Sequence, residues 1–251
     1  MVLKRKISPL MAVVLMTAIG ALLALTVLYA PPASAHAGHR SARQERIREL
    51  GADWWQWALE KPAPINPQVG SYSGGPKCNG ASGERGVWFL AGALGGGKAV
   101  RHCTVLVGTK LFFPIVNAFD ADPRGTFNEK TYRRCVNSFM DRELKGSITY
   151  ATVDGKPARP VSGQRADTPV FTFDLPKDNV FGDSSLAGSY LGVADGLWVL
   201  EHPLSKGEHT VRFGGRFPNA PTGGCIGAGP RKENITYKLK VVSRAQWNRT
   251  H

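Results

Sequence analysis

The feature that most constrains this chain is an alternation of apolar and polar side chains in short runs. In the clearest run, Ile235, Tyr237, Leu239 and Val241 alternate with two lysines. Such a period of two places the apolar side chains on one face of a strand. Further strand-like runs lie at 87–90, 103–107, 111–116, 147–153, 170–175, 197–202 and 208–213. Pro114 predicts an edge strand or a bulge.

The connections between these runs are rich in turn-forming residues. The chain contains 29 glycines and 17 prolines, and Asp154-Gly155 is typical of a hairpin turn. Many short strands joined by such turns are typical of a mainly β protein. We therefore expect an antiparallel β-sandwich of the jelly-roll or Ig-like type over residues 62–251.

Two segments have a helical period instead. Over residues 36–61, a disordered lead precedes a helix that begins near Ser41 and ends at Lys61-Pro62, with apolar residues at helical spacing from Ile47. At about 128–144, Tyr132 opens a second apolar stripe. This stripe predicts one helix inserted between strands.

The N-terminus has the three parts of a signal peptide. Lys4, Arg5 and Lys6 precede an uncharged apolar run over 7–29, and Ala33-Ser34-Ala35 follows with the small residues that signal peptidase requires. We expect residues 1–35 to be a signal peptide and the protein to be secreted or extracytoplasmic. The alternative is an uncleaved membrane anchor, because the run is long enough to span a bilayer.

Four cysteines follow this segment, and an even number in an exported chain predicts two disulfides. Three pairings are open. We favour Cys78 with Cys103 and Cys135 with Cys225, because the first pair fixes a Gly-rich loop and the second joins the inserted helix to the loop before the last strand. A zinc site is the rival interpretation, but the spacing is long and irregular.

The chain is strongly basic. Its formal net charge is +13, and removal of the three basic residues in 1–35 lowers the charge to +10. A protein of this charge is attracted to polyanions such as anionic envelope polymers or polysaccharides, lipid headgroups or extracellular DNA. The alternative is that the charge only keeps the protein soluble. The sequence contains no specific nucleic-acid motif, and it does not indicate an oligomeric state.

Histidines provide one candidate for chemistry. Cleavage after Ala35 would make His36 the first residue, and an N-terminal histidine with a second histidine resembles the copper site of lytic polysaccharide monooxygenases. His102, His202 or His209 could be the second ligand. His36 is followed by a helix and not by a strand, so we assign no metal ligand.

Carboxylates provide another candidate for chemistry. Asp195 and Glu201 lie close in sequence, but on one strand they would be about 20 Å apart, too far for a glycosidase pair. Asp195-Gly196 is instead typical of a turn. The sequence has no Gly-x-Ser-x-Gly motif. We therefore assign no catalytic residue and no cofactor.

Tryptophans are the candidate ligand-binding residues. Trp54, Trp55 and Trp57 form a cluster in the first helix, and Trp198 is the fourth member of the set. Exposed indoles could form a platform for a sugar. The alternative is that they are the apolar face that packs a terminal helix onto the core.

Several motifs together resemble a family of uncharacterised secreted proteins, mostly bacterial. They are Trp54-Trp55-Gln56-Trp57-Ala58, Cys78 with 86–92, Cys103 with 111–114, Ala194-Asp195-Gly196-x-Trp198 and 203–210. The resemblance covers most of the chain after residue 35 and implies no activity. The segment 204–213 is also similar to the penultimate strand of extracellular Ig-like modules.

These observations favour a secreted or envelope-associated, non-enzymatic module that binds a polymer or a protein partner. The alternative is a secreted carbohydrate-active enzyme, either a glycoside hydrolase or a copper monooxygenase-like protein. A cleft with convergent acid, base or metal ligands would distinguish the two.

The first testable prediction concerns processing. We expect exported protein to begin at His36, because Ala33-Ser34-Ala35 is the motif that signal peptidase recognises. N-terminal sequencing of exported protein checks this. A first residue of Met1 in exported protein would contradict it.

Overall fold

The computed structural model describes residues 34–82, 86–123, 125–158, 164–220, 222 and 229–249, without the side chains of 34–41 and 81–82. The expected signal peptide, except its last two residues, and Cys225 lie outside this description. No helix in the described part is long and apolar enough to cross a bilayer. Contacts divide the chain into two compact units, residues 1–43 and 44–251. The second unit contains all of the strands described below.

The described residues form twelve strands and three α-helices. The strands are β1 (Tyr72–Ser73), β2 (Ala81–Ser82), β3 (Val87–Phe89), β4 (Gly97–Leu106), β5 (Lys110–Pro123), β6 (Ile148–Val153), β7 (Lys156–Pro157), β8 (Gln164–Asp167), β9 (Phe171–Leu175), β10 (Gly188–Glu201), β11 (Gly207–Phe217) and β12 (Arg231–Val242). The helices are α1 (Ser34–Leu59), α2 (Glu129–Leu144) and α3 (Arg244–Trp247). The protein is therefore mainly β, as the alternation predicts.

The strands form two sheets of six. Sheet I has the order β1-β4-β12-β11-β6-β7, and sheet II has the order β2-β3-β5-β10-β8, with β9 also paired to β10. The expectation of antiparallel pairing throughout is wrong. β12 pairs parallel with β4, β1 pairs parallel with β4, and β3 pairs parallel with β5. The last strand enters sheet I beside β4, and both run in the same direction.

The two sheets share one cluster of buried apolar side chains. Sheet I contributes every second residue of its long strands, such as Phe213 and Tyr237, and sheet II contributes Phe113 and Val199. The rings of Phe113 and Phe213 stack with centroids 4.6 Å apart. The alternation read from 235–241 is therefore the inner face of β12.

The opposite face of sheet II is covered by α1. The helix contributes Ile47, Leu50, Trp54, Trp55 and Ala58 to a second apolar cluster with β3, β5, β9 and β10. Sheet II is thus apolar on both of its faces, whereas the outer face of sheet I has no such cover among the described residues. The helix begins earlier than the sequence predicted, at Ser34 and not near Ser41.

Asp195-Gly196 is not a turn. Both residues lie inside the 14-residue strand β10, where Asp195 is paired with Ala118 and with Asp167. The glycine is needed for packing. A Cβ atom on Gly196 would lie 2.6 Å from the Trp198 ring, which stacks on Phe112 at a centroid distance of 5.1 Å.

Pro114 lies at a bulge, as its sequence context predicted. Trp198 pairs with Pro114, but the preceding residue, Leu197, pairs with Val116, so β5 carries one extra residue there. At the far end of β5 and β10, α2 packs Val136, Phe139 and Met140 against them. Asn128 caps α2 by accepting a hydrogen bond from the Thr131 N–H group at 3.1 Å.

The predicted disulfide between Cys78 and Cys103 is confirmed, with a Cα–Cα distance of 5.4 Å. It ties the irregular segment after β1 to the middle of β4. Cys135 on α2 is also disulfide-bonded. Its predicted partner, Cys225, lies outside the described residues, so that pairing stays a prediction.

The packing of Trp198 gives the second testable prediction. Gly196→Ala forces a methyl group into the indole ring, and we expect a loss of about 1–3 kcal/mol in the free energy of unfolding. Gly125→Ala is the matched control, because a Cβ atom there meets nothing within 4 Å. We expect that variant to stay within about 0.5 kcal/mol of wild type in urea unfolding. Equal losses of unfolding free energy in the two variants would show that the absence of a side chain at Gly196 is not required for the packing of Trp198.

Candidate functional site

The four tryptophans predicted as candidate ligand-binding residues belong mainly to the core. Trp54 and Trp198 are fully buried and Trp55 is 4% exposed. The Trp54 indole donates a hydrogen bond to the Leu90 carbonyl and the Trp198 indole donates to the Ala166 carbonyl, both at 3.0 Å. Trp57 is half-buried and donates to the Asn79 carbonyl at 2.9 Å. These side chains therefore do not form a solvent-facing platform, and the burial supports the alternative that they attach α1 to sheet II.

The two carboxylates considered for catalysis are not brought together. Asp195 and Glu201 lie on the same strand, β10, six positions apart. Asp195 is buried and accepts two hydrogen bonds from Arg165, at 3.0 and 2.7 Å. Burial raises the pKa of Asp195 above its ordinary value, while Arg165 opposes that shift. The pair therefore ties β10 to β8, which carries Arg165.

The histidines are also separate. His102 and His202 are exposed. His209 lies 2.7 Å from the Asp154 carboxylate, and its other ring nitrogen lies 2.9 Å from the Ser205 carbonyl. The His36 side chain is outside the description. Within the described ranges, no group of three or more potential metal ligands is found.

The uncovered outer face of sheet I carries an array of basic side chains. Because side chains alternate along a strand, the residues between the buried positions of β4, β11 and β12 project outward. We call this surface the basic face; its exposed basic residues are Lys98, Arg212, Arg216, Lys232, Lys238 and Lys240. Glu208 is the acidic residue at an outward position of these three strands.

The register brings like charges together on the basic face. Arg216 is directly opposite Lys232, whereas Lys240 is opposite the acidic Glu208. Like charges in such positions destabilise a sheet. None of the six basic residues forms an ion pair with any other described residue. With six basic residues and one acidic residue, the face therefore keeps an excess of positive charge that a bound anion would relieve.

Beside the basic face, at the edge of sheet I, lies a cavity of about 470 Å³. Trp88 and Trp247 form part of its wall, with ring centroids 5.8 Å apart and planes at 83°. We call it the indole cavity. Gly74, Gly75, Pro76 and Cys78 of one turn, with Asn79 and Thr104, complete the described lining; Lys77 of the same turn is not part of it. The described wall therefore contains no ionisable side chain.

A buried arginine fixes, by hydrogen bonds, the backbone segments that precede the turn of the indole cavity. Arg101 on β4 is fully buried, and its guanidinium donates to the carbonyls of Gly70 at 3.2 Å and Gly92 at 3.0 Å. It also donates to the Tyr237 hydroxyl at 2.9 Å and lies over the Tyr72 ring. Burial raises the pKa of Tyr72, so this hydroxyl stays neutral. The network fixes β1 and the segment 90–93 on sheet I.

A second cavity, of about 260 Å³, lies between β5, β9 and β10. Phe119, Phe173, Phe181 and Tyr190 line it, and the Phe173 and Tyr190 rings stack 5.3 Å apart. Asp120 also contributes, but it pairs with Val193, which packs towards α2 on the other face of the sheet. The hollow is therefore largely apolar.

Two buried glutamates lie near the start of β12. Glu143 of α2 is fully buried and forms an ion pair with Arg231, whose guanidinium lies 5.3 Å from the Phe217 ring centroid. Burial raises the pKa of Glu143 to about 7, and Arg231 opposes the shift. Burial likewise raises the pKa of Glu233 to about 6. Glu233 accepts a hydrogen bond from the Ala93 N–H group at 2.9 Å.

Sequence reasoning did not locate the basic face or the indole cavity. The lysines of the last strand were expected to point outward, but the sequence does not reveal which strands lie beside it. Arg212 and Arg216 also alternate with buried residues in β11. That alternation could have indicated two outward-facing arginines from the sequence. Only the order of the strands shows that they lie beside Lys232 and Lys238.

Comparison with known proteins adds no functional assignment. No family model matches the chain, and no curated protein matches it. The solution structure of amebosin is similar at 12% identity, over 57% of this chain and 96% of amebosin, with a TM-score of 0.16. A TM-score this low supports no conclusion about fold or function. The resemblance to secreted bacterial proteins therefore stays a prediction.

The buried glutamates give the third testable prediction. Their pKa values are raised above the unfolded value of about 4.5, so the stability they contribute is present at low pH and is lost as pH rises through about 6 and 7. We expect the free energy of unfolding to fall between pH 5 and 8, with a Glu143 share on the order of 3 kcal/mol.

Glu143→Gln tests the assignment, because glutamine imitates the protonated acid. The variant should match wild type at pH 5 and exceed it at pH 8 in urea unfolding. Glu60→Gln, at an exposed position, is the control and should keep the wild-type pH dependence. If the free energy of unfolding of Glu143→Gln falls with pH as steeply as that of wild type, Glu143 is not the cause of the pH dependence.

Proposed function

We propose that this protein is an extracytoplasmic, non-enzymatic module that binds an anionic polymer on its basic face. We also propose that its two sheets form a β-sandwich of the jelly-roll or Ig-like type, in which parallel pairs occur beside antiparallel ones. The shared apolar cluster between the sheets supports this classification. The proposed binding surface is the side of sheet I that faces away from that cluster.

The observation that carries the functional proposal is the excess positive charge of the basic face. Six exposed lysines and arginines on three adjacent strands are accompanied by the single outward acid Glu208. Because these strands are hydrogen-bonded neighbours, their charges are held at fixed spacings. The positive potential of such an array adds up over the whole surface.

The length of the array favours a polymer over a small anion. Lys232 and Lys240 lie eight residues apart on β12, which corresponds to about 26 Å at the usual rise of a strand. Thr236, Asn234 and Tyr150 lie at the half-buried positions between the charges and offer hydrogen-bonding groups. A long anion can contact several lysines at once, so weak individual contacts add together.

The proposed compartment has separate support. The Cys78–Cys103 disulfide is of the kind that persists in oxidising surroundings, and it is compatible with an extracellular protein. The N-terminal sequence is expected to direct export. Polymers that such a protein meets outside the cytoplasm include the uronic-acid polysaccharides and polyphosphates of cell envelopes.

The fourth testable prediction concerns this surface. The variant in which Lys98, Lys232, Lys238 and Lys240 become Gln should bind polygalacturonate at least about tenfold more weakly than wild type at low salt, because four attractive charges are lost. Wild-type binding should weaken as salt rises, since exposed charges are screened beyond about 10 Å at 0.1 M. Isothermal titration calorimetry measures both effects.

The matched control removes four exposed basic residues elsewhere: Lys130, Arg142, Lys145 and Lys177, each changed to Gln. Net charge falls equally in both variants, so this control separates a local surface from general charge. We expect the control to lose less than about threefold in affinity. Equal losses in the two variants, or equal binding of neutral dextran, would overturn the proposal.

A further inference from the structure

We propose that the indole cavity binds a saccharide unit, so that the polymer bound by the basic face is an acidic polysaccharide. This inference rests on the proposed function and narrows its ligand. Its physical basis is a cavity lined by two indoles, a described lining without charged side chains, and a lining residue, Thr104, that is paired with Lys240 of the basic face.

The indole walls suit the apolar faces of a sugar ring. Trp88 is buried, at 6% exposed, and Trp247 is half-buried and meets it nearly edge to face, at 83°. Trp247 therefore supplies the accessible ring surface, and Trp88 holds it in place. The face of an indole is electron-rich and attracts the weakly positive C–H groups of a pyranose. The volume of about 470 Å³ lies in the range typical of small-ligand sites.

The remaining wall can bind the hydroxyl groups. Asn79 has an amide side chain, and Thr104 has a hydroxyl group. β1 pairs with β4 only through Tyr72 and Ser73, opposite Arg101 and His102. The edge of β4 at Thr104 therefore faces the cavity beyond the end of β1. Neutral donors and acceptors on an aromatic wall are the composition that a polyol requires.

The indole cavity and the basic face are continuous through Thr104. This residue is paired directly with Lys240 of β12. Neighbouring strands lie about 4.8 Å apart, so a ring seated against Thr104 is within one residue of the first lysine. One polysaccharide chain can therefore place a sugar ring in the cavity and its carboxylates on the lysines.

The site is held in place before a ligand arrives. The Cys78–Cys103 disulfide fixes the turn that lines one side. Trp247 lies in α3, whose first turn is closed by a capping box between Ser243 and Gln246. Arg101 anchors β1 immediately before the turn. A wall fixed in this way loses little conformational entropy on binding.

The experiment compares a polyanion with sugar rings and one without them. Trp247→Ala and the smaller change Thr104→Val are titrated with polygalacturonate and with polyphosphate, beside the variant with four lysines changed to Gln. We expect Trp247→Ala to weaken polygalacturonate binding by about tenfold and to leave polyphosphate binding unchanged. Thr104→Val should show the same selectivity with a smaller loss.

The four-lysine variant should lose affinity for both polymers, so the two proposals can fail separately. If it binds both normally, the proposed function is overturned. If it fails with both while Trp247→Ala and Thr104→Val bind both normally, only the saccharide site is overturned. Equal losses for the two polymers in Trp247→Ala would also overturn the saccharide site.

A measurement on the unmodified protein covers the case in which Trp247→Ala does not fold. The indole N–H resonances of Trp88 and Trp247 should shift when a galacturonate oligomer is added, and should not shift with polyphosphate. Trp54, a fully buried residue of α1 that faces sheet II, provides the internal control. Unshifted Trp88 and Trp247 signals under saturating oligomer would exclude a sugar in the indole cavity.

Discussion

The structure depends on the burial of sheet II from both sides. Sheet I covers one face, and α1 covers the other through the contact of Trp54 with Trp198, whose ring centroids are 5.9 Å apart. Gly51 and Gly196 both leave space for the Trp198 indole. Because the first helix is used to cover sheet II, sheet I has an open outer face. The charge pattern of the strands then makes that open face basic.

The arrangement also explains why the conspicuous tryptophans are not the proposed binding residues. The cluster in α1 is apolar because it must cover a sheet, and its polar N–H groups are directed to carbonyls such as that of Leu90. Trp88 and Trp247 are far apart in sequence and meet only after the last strand has entered sheet I. A cluster of tryptophans in the sequence is therefore a poor guide to an exposed binding site, because exposure depends on tertiary packing.

Much of the local structure could be predicted because it depends on neighbouring residues. The alternation in 235–241 indicates a strand whichever sheet contains it, and Asn128 begins a helix by capping its own first turn. Cys78 and Cys103 bracket one Gly-rich segment, so their pairing was favoured from local sequence. The parallel neighbours of β4 and β3 could not be read in the same way, since strand order depends on contacts between residues far apart in sequence.

Asp195-Gly196 shows how local rules can mislead. The dipeptide favours a turn, but the long pairing of β10 with β5 and the space required by Trp198 keep it in a strand. The candidate site was harder still, because no single segment contains it. Its lysines come from three strands, and its indoles come from β3 and α3. The sequence gives the net charge, but only the fold collects part of it on one surface.

The ends of the sheets have a consequence for behaviour at high concentration. Sheet I ends in the two-residue strands β1 and β7, and sheet II ends at β2, which is equally short. β7 consists of Lys156 and Pro157, a charged residue and one without a backbone donor. A strand of two residues offers few unpaired backbone groups of its own, and a charged residue with a proline at an edge is a feature by which proteins limit strand addition between molecules.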